Sequence, residues 1–265
     1  MRRRVINRQR LEQAEKCNSF RRWFIPESSE ALRMNSRKHG ARVAGLLYLL
    51  MAVTAVVSLN NVPSWSMIGG DAAATANKIA ASQLLYRIGV VSDLAAQILF
   101  VFLVLSLYHL FKGVNKRHAA LMVALVLVQV PMAFANMLFG IAPLILISGA
   151  DYLSVFDKPQ LDALAMAFLN LRGYGVKAVM ALWGLWLLPF GLLVFRSGFI
   201  PRTLGVLLMV GCFAYLIVSV TSLLFPSYER LVAPLTVLAV GELLITLWLL
   251  TKGARTESLE YQPSE

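Results

Sequence analysis

"YRIGVVSDLAAQILFVFLVL", residues 86–105, is an apolar run interrupted by the carboxylate of Asp93 and the amide of Gln97. About 20 consecutive apolar residues suffice for a helix to cross the hydrocarbon core of a bilayer. Backbone groups in lipid must be bonded internally, so a single apolar segment crosses as a helix rather than as a strand. The run therefore predicts a membrane-spanning helix that carries polar side chains inside it.

Five further apolar blocks accompany this one, in a chain of 265 residues that is 58% hydrophobic and only 15% charged. Soluble domains carry about 25% charged residues. The pattern predicts an all-α integral membrane protein with six transmembrane helices. Its transmembrane domain would cover residues 41–252, between a basic N-terminal tail at 1–40 and a C-terminal tail at 253–265. The blocks cover residues 43–59, 88–111, 119–138, 176–195, 204–225 and 231–250.

The basic residues predict how the chain is threaded. Of the 25 Lys and Arg, 19 fall at residues 1–42, 112–118, 196–202 and 252–265, which alternate with the other connections. Cytoplasmic segments carry an excess of Lys and Arg. We therefore expect both termini to be cytoplasmic, in a multi-pass membrane protein. The net charge of +11 then reflects mainly the basic cytoplasmic segment before the first span. We expect the lipid bilayer as a partner and no nucleic acid.

Two connections are long enough to hold structure of their own. In the first, Asp71 precedes an Ala-rich stretch and is placed to cap a short helix. The second, residues 148–175, contains an apolar stretch that ends at Gly173 and Gly175. It either lies along the outer face or prolongs the fourth block. We expect a separate peripheral helix, because joining the two gives some 35 residues, more than a bilayer needs.

Several stretches resemble one bacterial membrane family, catalogued as domain of unknown function 4386 (DUF4386). They are "ARVAGLLYLL" at 41–50, "GDAAATANKI" at 70–79, "YRIGVVSDLAAQ" at 86–97, "LYHLFKGVNKRHA" at 107–119, "SGFIPRTLGVLL" at 197–208 and "GELLITLWLLTKG" at 241–253. The resemblance covers about residues 41–253 and implies six helices, but it implies no activity.

Residues 1–33 do not match the family pattern. With Trp23 and Phe24 among basic residues, they are read either as an amphipathic surface anchor or as upstream sequence included by an over-long start assignment.

Two polar layers emerge when depth is counted along the blocks at about 1.5 Å per residue. Asp93 falls level with Asn136, and Gln97 falls level with Gln129 and Glu242. An ionisable residue inside a spanning helix is a functional-site hypothesis by default. The alternative is hydrogen bonding between helices, with one or both acids protonated. The five residues are therefore candidate binding residues, and both readings stay open.

Lys177, at the outer end of the fourth block, is a candidate counter-charge for Asp93. The competing interpretation is that its side chain snorkels to the lipid headgroups.

No catalytic motif accompanies these layers. His39, His109 and His118 are not at metal-ligand spacing, and neither a nucleophile elbow nor a phosphate-binding loop is present in the sequence. We therefore expect no catalytic residue, no metal and no cofactor. The favoured function is a non-catalytic binding or assembly role in the envelope. The alternative is a proton- or cation-coupled small-solute permease that uses Asp93 and Glu242. Protein partners stay unknown, and oligomer formation stays open.

Overall fold

The computed structural model describes the backbone of residues 27–62 and 71–253, and the side chains of these residues from Arg37 onward. The suggested surface anchor around Trp23 and nearly all of the predicted C-terminal tail lie outside the described residues.

The described chain is helical, with short connections. Three 3₁₀ segments, Asp151–Leu153, Pro226–Tyr228 and Ala233–Ala239, interrupt or join the α-helices. The α-helices are α1 (Glu27–Asn61), α2 (Ala72–Ala81), α3 (Gln83–Phe111), α4 (Lys116–Leu146), α5 (Lys158–Ser197), α6 (Arg202–Leu224), α7 (Glu229–Val232) and α8 (Val240–Thr251).

Six segments are long and apolar enough to span a membrane, which confirms the predicted fold class. They are α1 from Arg37 onward, α3, α4, α5, α6 and the segment Pro226–Thr251. Large apolar side chains such as Phe102, Leu138 and Phe213 are more than half exposed on the outside of the bundle. Contiguous apolar surface of this kind marks a surface that faces lipid.

The short helix in the first long connection forms where the sequence predicts it. Asp71 accepts a hydrogen bond from the backbone N–H of Ala74 at 3.0 Å and so caps α2. Helix α2 packs against the N-terminal part of α5.

The prediction of a separate peripheral helix in 148–175 is wrong, because the apolar stretch prolongs the fourth spanning helix. Asp157 and Gln160 form a reciprocal capping box that starts α5, which then runs without a break for 40 residues. Gly173 and Gly175 lie inside α5 rather than at its end. A Cβ atom on Gly175 would lie 1.8 Å from Oδ1 of Asn136, so this glycine permits the close approach of α4.

The sixth span changes helical form midway. The seven residues Ala233–Ala239 are 3₁₀, with Pro234 in the first turn, and the α-helix resumes at Val240. Proline removes one backbone donor and favours an irregular helix. A long 3₁₀ stretch inside a span is uncommon and often marks a hinge.

Glycines set the tightest helix contacts. A Cβ atom on Gly191 in α5 would lie 2.8 Å from the carbonyl oxygen of Gly205 in α6, and the reverse distance is 2.7 Å. A Cβ atom on Gly45 in α1 would lie 2.8 Å from the backbone nitrogen of Leu250 in α8. Small residues let spanning helices approach to backbone contact, as expected where no hydrophobic force pulls helices together in lipid.

The start of α1 and the end of α8 lie at the same end of the bundle. A Cβ atom on Gly253 would lie 3.2 Å from the side chain of Lys38. The connection at 112–115 should share this end, since consecutive spans run in opposite directions. The connection at 147–157 should lie at the other.

We predict that thiols placed at these two connections will react from opposite sides of the membrane. Cys17→Ser removes one native thiol, and Cys212 is buried. In that background Ser154→Cys should react with an impermeant thiol reagent on intact cells. Gly113→Cys, at a position with no neighbour within 4 Å, should react only after permeabilisation. Reaction of both from the same side would contradict the predicted threading.

Candidate functional site

Glu242 in α8 binds two tyrosines that come from opposite parts of the chain. The hydroxyl of Tyr48 in α1 donates to Oε2, and the hydroxyl of Tyr215 in α6 donates to Oε1 at 3.0 Å. Counted back from Thr251 at the end of α8, Glu242 is about 14 Å deep along the helix axis, close to mid-membrane. One carboxylate therefore ties three spans together deep in the bundle.

Aromatic packing holds the two tyrosines in place. Tyr48 is buried, and its ring centroid lies 6.1 Å from that of Trp186. Trp186 in turn stacks on Phe190 at 5.3 Å and meets Phe100 edge-on at 5.0 Å. Tyr215 meets Trp183 in an edge-to-face arrangement at 6.4 Å. Aromatic pairs in these geometries stabilise the packing beyond what burial alone contributes. The rings therefore hold the two phenol groups in place beside Glu242.

A cavity of about 360 Å³ opens beside Glu242. Its volume lies in the range of small-molecule pockets. Its polar lining comprises Tyr48, Gln97, Gln129, Tyr215, Glu242 and Thr246. The rest of the lining is aromatic or aliphatic. The cavity therefore has a mainly apolar lining with a small group of polar side chains at one depth in the membrane.

The amide of Gln129 has no protein partner in the part of the chain that the structure describes. The side chain is fully buried, yet neither Oε1 nor Nε2 makes a hydrogen bond there. Oε1 of Gln97, a side chain that is 8% exposed, is also without a protein partner among the described residues. A buried polar group without a hydrogen bond costs about 1–3 kcal/mol. Both glutamines are among the residues that line the cavity, so a molecule bound there would lie next to these unbonded amides.

The structure brings three of the five candidate residues into this cavity: Gln97, Gln129 and Glu242, the three expected at one depth. Sequence reasoning did not include Tyr48 and Tyr215. These two tyrosines lie well inside apolar blocks, where a phenol group needs a buried partner.

The other two candidates, Asp93 and Asn136, meet at Arg172 rather than at each other. Nη2 of Arg172 in α5 lies 2.9 Å from Oδ2 of Asp93 in α3. Nδ2 of Asn136 in α4 donates to the backbone carbonyl of Arg172 at 3.1 Å. Arg172 is 3% exposed, and its side chain lies over Gly140, where a Cβ atom would come within 2.9 Å of Nε. Arg172 therefore joins three spans, and we call this group the Arg172 clasp.

Arg172 was not among the sequence candidates because it was assigned to an outer connection. Since α5 is continuous, Arg172 lies within a helix and is carried into the bundle.

Lys177 does not serve as the counter-charge of Asp93. Its Nζ lies 2.8 Å from Oε2 of Glu229 in α7, and 4.8 Å from the ring centroid of Tyr174. Its backbone carbonyl accepts a hydrogen bond from the hydroxyl of Ser219 at 2.6 Å. Lys177 follows Arg172 by five residues and so faces another side of α5. The predicted pairing is wrong for this reason, and Lys177 instead binds the start of the sixth span.

In chemical terms the cavity is suited to holding a molecule. Among the described residues, no group of three or more His, Cys, Asp or Glu could hold a metal ion. The polar side chains at the cavity supply two amide groups, hydroxyl groups and one carboxylate, with aromatic rings around them.

Comparison with known proteins gives one match. The model of a family described as a domain of unknown function (DUF4386) matches residues 43–253. No curated protein matches the chain. No solved structure matches it.

We predict that the Arg172 clasp is a stability element. Asp93→Asn would leave a buried guanidinium without its carboxylate, and breaking one side of a buried pair costs about 3–5 kcal/mol. The double variant Asp93→Asn/Arg172→Gln removes both charges and should recover part of that loss. Unfolding in lipid nanodiscs, followed by circular dichroism, measures both.

Lys158→Gln provides the control, because the Lys158–Asp162 pair has an exposed lysine and lies within one helix. Exposed pairs contribute about 0–1 kcal/mol. A loss for Asp93→Asn no larger than that of the control would contradict a structural role for the clasp.

Proposed function

Because the chain belongs to the DUF4386 family, whose members have no assigned activity, we propose its function from the site itself: it is a non-catalytic binding protein of the membrane. It holds one small molecule in the cavity beside Glu242. The multi-pass protein would reside in a bacterial plasma (inner) membrane with both termini in the cytoplasm, and the surrounding lipid bilayer would be its constant partner.

The observation that carries this proposal is the amide of Gln129, fully buried at a cavity of about 360 Å³ without a protein hydrogen bond among the described residues. Polar groups buried in proteins are nearly always satisfied, and exceptions call for an explanation. Elsewhere in the same bundle the charged side chains of Asp93, Lys177 and Glu229 bind protein groups, and Asn136 is bonded through Nδ2 although its Oδ1 is not. Gln129 stands apart because neither polar atom of its amide is bonded among the described residues, and a ligand in the cavity would supply the missing partner.

We predict that filling the cavity will expel a bound molecule. Ala55 lines the cavity from α1, so Ala55→Phe places a ring in it. Ala124, exposed on α4 and outside the cavity lining, gives the matched control Ala124→Phe. Protein taken from membranes in polymer nanodiscs is analysed by native mass spectrometry. The unsubstituted protein and Ala124→Phe should carry the same non-covalent adduct, and Ala55→Phe should lack it.

Two results would refute the binding proposal. One is an adduct that Ala55→Phe retains in full. The other is the absence of any adduct from all three proteins.

A second candidate is a proton- or cation-coupled small-solute permease that uses Asp93 and Glu242. What favours it is the place of Glu242, about mid-membrane and bound to two hydroxyls at the edge of a cavity. The 3₁₀ segment Ala233–Ala239 lies just before Glu242 and has the helical form that often marks a hinge. Asp93 is a weaker participant, since its bond to Arg172 would have to open during each cycle.

We predict, for this candidate, that proteoliposomes with an imposed pH gradient will lose it faster when tetramethylammonium is added. Glu242→Gln should abolish the acceleration, because an amide cannot cycle a proton. An internal pH-sensitive dye reports the gradient, and protein-free liposomes set the baseline. Decay at the baseline rate in the unsubstituted protein would remove the permease candidate for this solute class.

A further inference from the structure

The cavity beside Glu242 has an acceptor-rich end and an apolar end. The first is lined by the carboxylate of Glu242 and by Gln97 and Gln129, whose amides have oxygens without a partner among the described residues. At the second, the lining consists of Ala52, Ala55 and Leu59 of α1 with Ala239 and Leu243 of the sixth span. A molecule that matches both ends carries a polar head and an apolar chain.

At the acceptor-rich end, the part of the chain that the structure describes places no basic side chain. None of the described residues that line the cavity is Lys, Arg or His. An ionised carboxylate only accepts hydrogen bonds, and both oxygens of Glu242 accept from tyrosine hydroxyls. Charged groups within a membrane usually pair with one another. Asp93, Asp162 and Glu229 each have a basic partner in the structure. Among the described residues, the side-chain partners of the Glu242 carboxylate are the two tyrosine hydroxyls, without a basic group.

The rings around Glu242 also favour a cation. Tyr48, Tyr215, Trp183 and Trp186 all line the cavity. Ammonium groups are attracted to aromatic faces, most strongly to Trp, and the attraction increases when water is excluded. A carboxylate surrounded by aromatic rings therefore suits an organic ammonium head better than a neutral or anionic one.

The apolar end reaches the lipid-facing surface. Leu59 and Leu243 line the cavity and are 46% and 56% exposed, respectively. Helices α1 and α8 touch closely at Gly45 and Leu250. The cavity lies beyond this contact, between α1 and the sixth span. An apolar chain in it would be continuous with the bilayer.

We propose that the ligand is a hydrophobic amine, held in its protonated ammonium form. Its head binds Glu242 and Gln97, and its chain leaves between α1 and the sixth span. This inference rests on the proposed binding function and names the chemical class of the ligand. The N–H groups of the head donate to Glu242 and to Oε1 of Gln97, while Nε2 of Gln129 remains free to donate to a polar substituent near the head.

Three matched probes test the head group. Dibromo-octylamine, dibromo-octanol and dibromo-octanoate share one chain, with bromine on its two terminal carbons, and bromine quenches tryptophan fluorescence on contact. The reporter protein carries Phe in place of Trp23, Trp65 and Trp248, which leaves Trp183 and Trp186 at the cavity. A reference protein keeps only Trp248, which is outside the lining, and measures quenching from the bilayer. All proteins are studied in lipid nanodiscs at neutral pH.

We expect saturable quenching of the reporter by the amine, with about tenfold tighter binding than by the alcohol or the acid. Tenfold is the lower end for a hydrogen bond to a charged group. In Glu242→Gln the amine should bind within about twofold of the alcohol, while the alcohol affinity stays unchanged and shows that the variant is folded.

Equal binding of the three probes by the unsubstituted reporter would overturn the ammonium inference and leave the binding function standing. Saturable quenching by none of them would overturn the inference, and the adduct experiment with Ala55→Phe would then decide the binding function by itself. An amine preference that survives in Glu242→Gln would also overturn the assigned role of Glu242. Should Glu242→Gln not fold, the amine-to-alcohol ratio in the unsubstituted reporter decides the inference.

Discussion

A polar side chain inside a membrane has no water to bind, so it must find its partner on another helix. This constraint organises the bundle. Arg172 forms an ion pair with Asp93 of α3, and its backbone carbonyl accepts a hydrogen bond from Asn136 of α4. Lys177 forms an ion pair with Glu229 at the start of the sixth span. Each polar contact joins helices that apolar packing alone would leave free to slide, because lipid tails are as apolar as leucine.

Helix α5 supplies both of these basic residues and is the centre of the arrangement. It is 40 residues long, so only part of it can lie in the hydrocarbon core, and the rest packs against α2 and the connections at one end. Its glycines permit the close approach of its neighbours: Gly175 makes room for Asn136 of α4, and Gly191 touches the backbone of α6 at Gly205. One side of the bundle is thereby fixed by ion pairs and backbone contacts together.

The opposite side is built differently, and that difference locates the site. Here α1 and the sixth span touch closely at Gly45, and Glu242 is bound by hydroxyls rather than by a basic group. Gln97 and Gln129 keep hydrogen-bonding capacity that no described protein group uses. Closely packed helices joined by ion pairs on one side, and an open cavity with unbonded amides on the other, form a combination suited to holding a molecule without moving the scaffold.

The sequence by itself determined the fold class, since six apolar blocks leave helices as the only way to satisfy the backbone in lipid. Depth counting also placed Gln97, Gln129 and Glu242 at one level, and they line one cavity, because rise per residue is fixed within a helix. Depth does not give rotation about the helix axis or the identity of neighbours. Only the tertiary structure could therefore show that Asp93 binds Arg172 and that Lys177 binds Glu229. The length of α5 was misjudged for a related reason. A glycine in the sequence can mark the end of a helix or a point where a neighbouring helix packs closely. The contact of Gly175 with Asn136 in the tertiary structure shows that this glycine has the second role.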